Sequence, residues 1–215
     1  HVITTEPSPD RTPATSDDWS PFGRTLPLEI ISPVYNRLSN GVFNRLLLLR
    51  GRLASAPVKT SLRLSCFPWD GIPDWNRLYG KKGFFEYQFV LPQNQIPALR
   101  RILAHLLERR APCYLFAMKL LSTGEGFLSY GMDRGMSTLL DFPATRDVAA
   151  LLDVIDGLVG DAGGRVHLAK DSRTSAAAVA SFYGADLQRF RSVVSRVDPQ
   201  GRFDSDLARR VHLRA

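Results

Sequence analysis

In GGRVHLAKDSRTS, residues 163–175, an apolar run ends at Lys170 and a dense polar one begins, with an aspartate, a serine and an arginine directly behind the lysine. An ammonium group held at the end of a buried segment is a fixed positive charge. It suits an anion, or an oxyanion that develops during a reaction. The same placement also suits a structural ion pair between Lys170 and a neighbouring carboxylate, with Asp171 and Arg173 fixing the local turn by hydrogen bonds. Both readings stand on the residues alone. Asp141, behind another apolar run, could serve as a general base or simply end a strand or cap a turn. No metal site is expected. His1, His105, His167 and His212 lie too far apart for a local motif, and Cys66 and Cys113 lack ligand spacing. The cysteines sit among apolar neighbours and read as core thiols, with a disulfide the lesser alternative. TGEGFLSYG has closely spaced glycines but neither the strand–turn–helix context nor the lysine of a phosphate loop, so it reads as a connection. No Ser–His–Asp or Cys–His set assembles.

The elements that must hold these groups are legible from periodicity. FFEYQFVL, residues 84–91, has strand composition, and the following segment places Ile96, Leu99, Ile102, Leu103, Leu106 and Leu107 on one helical face, with Pro97 in the first turn. CYLFAMKLL and MSTLLDF read as two further strands. A second amphipathic helix carries Val148, Leu151, Leu152, Ile155, Leu158 and Val159 inward and stops at Gly163-Gly164. RVHLA then supplies a fourth strand. The order strand, helix, strand, strand, helix, strand predicts an α+β fold, an antiparallel sheet with both helices on one face in the split βαβ, ferredoxin-like arrangement. AAAVASFYGADLQRFRSVVSRV and SDLARRVHL add an Arg-rich helical C-terminal tail. Upstream, residues 1–65 read as an extended or irregular entry segment, with one or two short helices between Leu28 and Leu53 and a break at Asn40-Gly41. The aromatic-rich stretch 66–83 reads as a loop packed on a core.

The chain has 215 residues, 44% hydrophobic and 23% charged, which is ordinary globular composition. Its net charge is +7, and ten Lys/Arg against five Asp/Glu from Gly163 onward put most of the excess in the tail. That balance fits a basic surface or an anionic partner such as a phosphorylated substrate or an acidic lipid surface. Nucleic acid is not expected, because no run of basic residues is interleaved with aromatics. The apolar stretches break well short of a membrane span. The stretch shows no signal-peptide pattern and begins at His1 without an initiating methionine, which reads as a fragment. The compartment is left open, cytoplasm or the membrane face of a bacterial cell.

GFFEYQFVLP, FAMKLL, LDFP, GGRVHLAKDSRTS, FRSVVSRVDPQGRFDSDLARRVHL and the upstream WNRLYG together resemble the C-terminal half of the decaprenylphosphoryl-β-D-ribose 2′-oxidases. These belong to the vanillyl-alcohol-oxidase-like flavoproteins, which include the sugar-lactone oxidases. The likeness runs with gaps from about Cys66 to the C-terminus and is most specific in AKDSRT and SDLARR. It implies that residues 66–169 form a substrate (cap) domain and that the tail, 170–215, returns to an N-terminal FAD domain lying outside this chain. The cofactor implied is FAD, which this chain alone is not expected to retain, so that alone it would be inactive. The implied partners are a sugar or polyprenyl-phosphate-sugar substrate, the FAD-binding domain, and a short-chain reductase that acts on the keto product in cell-wall arabinan biosynthesis.

The resemblance also assigns residues. Lys170 matches the lysine beside flavin and substrate. Gln88 and Lys119 match pocket-lining residues, and Tyr79 matches a tyrosine near the substrate entrance. His167 stands where the family has tyrosine, at a position touching both substrate and flavin, and Leu139 stands where it has a cysteine known as a target of covalent inhibitors. Glu86 replaces a glutamine, and Met136-Ser137 replace tryptophan-asparagine. The pocket has changed, so a polyol, an aldonolactone or another sugar derivative is as fitting as the decaprenylphosphoryl sugar. The expected function is the substrate-binding portion of an FAD-dependent oxidoreductase that oxidises a sugar or polyol hydroxyl. The alternative is a non-catalytic α+β module that docks an anionic partner through its basic tail.

Overall fold

The computed structural model describes residues 37–53, 79, 83–122 and 124–214. The chain divides into two units, His1–Gly83 and Phe84–Ala215. In the first, Arg37–Leu53 forms helix α1. It runs unbroken through Asn40-Gly41, because glycine weakens a helix by about 1 kcal/mol without forbidding it. Cys66 lies outside the described residues.

The second unit contains β1 (Phe84–Pro92), α2 (Ile96–Glu108), β2 (Leu115–Leu121), β3 (Gly135–Pro143), α3 (Arg146–Asp161), β4 (Arg165–Val166), α4 (Ala176–Val197) and α5 (Asp206–Arg210). The strands form one sheet in the order β2-β3-β1-β4, every pairing antiparallel. This is the α+β architecture that the alternating periods predict. Tyr87, Phe89 and Leu91 of β1 lie on one face with Met136, Leu140 and Phe142 of β3. They share a core with Ile102 and Leu106 of α2 and with Leu152 and Ile155 of α3. The residues between them in sequence, Glu86, Gln88, Ser137 and Leu139, therefore occupy the opposite face.

The double glycine has two separate tasks. Gly163 adopts φ +68°, and its N–H donates to Gly160 O at 2.9 Å while that of Gly164 donates to Val159 O at 2.8 Å. That bond pair is the left-handed helix stop in which a β-carbon is strained. Gly164 then passes against β1 so closely that a β-carbon there would lie 2.6 Å from Leu91 Cδ2 and 2.7 Å from Val90 O. Because the second contact is backbone, Gly164→Ala is expected to cost about 1–3 kcal/mol by overpacking. A thermal or urea melt checks it, and wild-type stability would show that β4 can move away.

One further element differs from the sequence reading. RVHLA is a strand only over Arg165–Val166, after which Leu168–Lys170 forms a 3₁₀ turn. His167 N–H still donates to Gln88 O at 2.8 Å, but Lys170 N–H bonds back to His167 O at 2.9 Å and turns the chain off the sheet. The carboxylate of Asp171 stabilises that exit, accepting from the N–H groups of Arg173 at 3.1 Å and Thr174 at 3.0 Å. The tail, in turn, lies on the same compact unit as the sheet. Val179, Phe182, Tyr183 and Leu187 of α4 are buried, and Tyr183 Oη donates to Val166 O at 2.8 Å. Arg210 of α5 reaches back to Asp171 Oδ2 at 2.8 Å and Thr174 O at 2.5 Å. The AKDSRT and SDLARR segments are thus bonded to each other.

Candidate functional site

Strand register brings most of the candidate residues onto the sheet face away from α2 and α3. Gln88 pairs with Leu139, and Leu139 with Ala117; one step along, Val90 pairs with Ser137 and Ser137 with Lys119. Lys119 is therefore on the same face as Gln88, in the exposed edge strand β2. His167 and Lys170 flank this face from the segment after β4. Tyr79 belongs to the first unit, where it is half-buried.

The centre of the face is polar and connected. Gln88 Nε2 donates to Ser137 Oγ at 2.9 Å, and Gln88 Oε1 lies 3.2 Å from His167 Nδ1. Tyr130, which belongs to the stretch that reads as a connection, completes the group. Its ring stacks on that of His167 with centroids 4.4 Å apart, and its hydroxyl contacts Ser137 Oγ at 2.5 Å and Phe89 O at 3.0 Å. The loop that carries it folds tightly. A β-carbon on Gly124 would strike Ser129 Oγ at 1.9 Å, and Arg165 Nη1 donates to Ser129 O at 3.1 Å. Paired close glycines on either side of an aromatic were the available signal for Tyr130.

Lys170 makes the ion pair that the sequence left as one of two alternatives. Its Nζ sits 3.0 and 3.1 Å from the carboxylate oxygens of Glu86, with 40% of the lysine side chain and 21% of the glutamate exposed. At that exposure the pair adds at most about 1 kcal/mol to stability. The ammonium remains accessible to a ligand from the open side. His167 is held below the usual imidazole range, first by burial and then by the Lys170 ammonium, with Glu86 partly offsetting both. Burial pushes the Tyr130 phenol up to about 12, against the opposing hydrogen bonds to Ser137 and Gln88. The face therefore presents a neutral imidazole and a neutral phenol beside the Lys170 ammonium at neutral pH.

Asp141 lies within β3, opposite Glu86 and Leu115, and is buried. Cys113, just before β2, donates to Leu115 O at 3.0 Å, and burial pushes its thiol up to about 11. Leu139 is half-buried on the polar face. A Leu139→Cys variant is accordingly expected to take up a thiol-alkylating reagent at position 139 at neutral pH while Cys113 reacts far more slowly, since the thiolate is the nucleophile. Peptide mass spectrometry reads the two sites separately. Faster labelling at Cys113 would contradict the placement.

Residues 132–211, from just before β3 through α5, match the D-arabinono-1,4-lactone oxidase family. The chain is 33% identical over 147 residues to the decaprenylphosphoryl-beta-D-ribose oxidase of Mycolicibacterium smegmatis, covering 68% of this chain and 32% of that protein. It is 44% identical over 89 residues to an uncharacterized protein in the mprA 5′ region of Streptomyces coelicolor, covering 41% of this chain and 24% of that protein. The chain is thus like the C-terminal region of a decaprenylphosphoryl-β-D-ribose oxidase, as its motifs imply. It spans about a third and a quarter of the length of these two relatives.

The residues fit one side of a flavin site. Lys170, His167 and Tyr130 offer a positive charge, a neutral imidazole and an aromatic surface. The glycine loop at 124–131 offers no cradle for the diphosphate of FAD, because Gly124 and Gly131 pack against each other and lead into β3, with no helix N-terminus behind them. Among the described residues no group of histidine, cysteine and carboxylate side chains could hold a metal, and no helix is long and apolar enough to cross a membrane.

Proposed function

We propose that this chain is the substrate-binding portion of an FAD-dependent oxidoreductase that oxidises a sugar or polyol hydroxyl to a ketone or lactone. FAD, gripped by a domain outside these residues, would supply the hydride acceptor. The carrying observation is that Gln88, Leu139, Lys119, His167 and Lys170, assigned one by one from distant segments, converge on one sheet face. In this reading residues 66–169 act as the cap and 170–215 as a tail reaching the FAD domain. Lys170 places positive charge where a reduced flavin becomes anionic. Gln88 and Lys119 orient the substrate, and His167 contacts both substrate and flavin.

The changed residues bear on the substrate. A carboxylate at Glu86 beside Lys170 offsets much of the charge that would attract a phosphate, which favours an uncharged polyol or lactone precursor over a polyprenyl-phosphate sugar. Where the latter is used, a short-chain reductase would take the keto product. The anion-docking alternative loses ground in the tail itself. Arg173, Arg209, Arg210 and Arg214 are each paired with an aspartate of this chain.

The test is anaerobic mixing of the FAD-loaded protein containing this chain with a panel of polyols, aldoses and a polyprenyl-phosphate pentose. Loss of oxidised-flavin absorbance with one class is the expected result. A protein that holds FAD and is reduced by none of them would overturn the reading. The chain by itself, mixed with FAD and passed through a desalting column, is expected to emerge colourless.

A further inference from the structure

The hydrogen bonds around His167 have a direction, and the fixed end of the chain is a carbonyl. Phe89 O can only accept, so both contacts of the Tyr130 hydroxyl are hydrogen bonds only when its single proton points to Phe89 O, across 3.0 Å. The 2.5 Å contact between Tyr130 Oη and Ser137 Oγ must then be filled by the serine proton. Ser137 Oγ, having given its own proton, accepts from Gln88 Nε2 at 2.9 Å. That leaves Gln88 Oε1 facing His167 Nδ1 at 3.2 Å, and an amide oxygen accepts only. Reversing the amide would reverse every bond and leave Tyr130 and Phe89 with two oxygens and no proton between them.

We infer that Tyr130, Ser137 and Gln88 form a relay that locks neutral His167 as its Nδ1–H tautomer, so that Nε2 presents a lone pair and acts as the proton acceptor for a substrate hydroxyl. The stacked Tyr130 ring, tilted by 21°, fixes the plane in which that lone pair points. Burial and the Lys170 ammonium keep the ring neutral, in the form that can accept. The role of Nε2 rests on the proposed oxidation; the tautomer does not. In the step, the hydroxyl O–H bond breaks and its proton goes to Nε2. The electron pair left on oxygen completes the C=O bond as the carbinol C–H pair leaves as hydride to an oxidised flavin.

Long-range 1H–15N correlation spectra of the histidine rings in the intact chain, taken above the ring's titration, read the tautomer directly. Loss of one signal in His167→Gln assigns it among the four histidines. Nδ1–H is expected in wild type. It should give way to the Nε2–H form preferred by free imidazole in Gln88→Leu, or in Tyr130→Phe should the first variant not fold. Nε2–H in wild type, or Nδ1–H persisting in the variant used, overturns the relay. In the FAD-loaded protein, His167→Gln should slow flavin reduction by about 10²–10⁴-fold and remove the acid limb of its pH–rate profile. A slowed variant that keeps the limb would overturn the proton-accepting role. A flavin-loaded protein that no sugar reduces would sink the oxidase reading and leave the tautomer result standing.

Discussion

Arg173→Ala should lower the folding free energy by about 3–5 kcal/mol, the loss typical of breaking a buried charge pair from one side. Arg173 is 10% exposed, and its Nη2 donates to Asp156 Oδ2 at 2.7 Å, where Asp156 is 4% exposed. The same guanidinium bonds Asp153 and the carbonyl of Leu152, and lies 5.5 Å from the centre of the Tyr87 ring. Tyr87 Oη completes the cluster by donating to Asp156 Oδ1 at 2.8 Å. Burial already pushes Asp156 above the usual carboxylate range, and Arg173 and Tyr87 pull it back. Without Arg173 the folded-state value rises further, so the variant holds a proton that wild type has lost. Its deficit should therefore be greatest near neutral pH and narrow as the pH falls through that higher value. Urea melts across pH read both features. A deficit that is small and flat across pH would mean that Asp156 is already neutral in wild type.

For Lys170→Ala the expected pattern is inverted, with a large effect on reaction and a small one on folding. In the FAD-loaded protein the anaerobic reductive step is expected to slow by about 10²–10³-fold, or roughly 3–4 kcal/mol, for loss of one preorganised charge. Stability should change by at most about 1 kcal/mol, because the Lys170–Glu86 pair is partly exposed and screened. A lysine can hold a carboxylate and still face a ligand, so rate and melting temperature measured on the same variant separate the two roles. A protein that melts early yet reduces its flavin at the wild-type rate would make Lys170 structural only.

Much of this arrangement is legible in the residues alone. The six elements of the sheet domain follow from apolar spacing, since an alternating or a 3.6-residue period leaves few other places for Phe89, Ile102 or Ile155. The double glycine marked the end of α3, and AKDSRT marked the chemically dense turn. What could not be read was pairing across sequence distance. Nothing in either segment alone says that Arg210 returns to Asp171, or that Glu86 rather than a nearer carboxylate meets Lys170. RVHLA looked like a full strand because the alternation of Val166 and Leu168 continues past the point where hydrogen bonding to β1 stops. Tyr130 lies in a segment with no period at all, and the tight approach of Gly124 to Gly131 together with its hydroxyl contacts to Phe89 and Ser137 holds it over His167.

Whether the polar sheet face is the one that meets flavin is most directly tested by hydrogen–deuterium exchange of the protein containing this chain, with and without FAD. If the account is right, flavin-dependent protection concentrates in the Tyr130 loop, residues 124–134, and in the turn at 165–171. The outer surfaces of α2 and α3 should exchange equally in both states. Protection confined to those helices, with the Tyr130 loop and the Lys170 turn unchanged, would put the flavin on the other side of the sheet and contradict it.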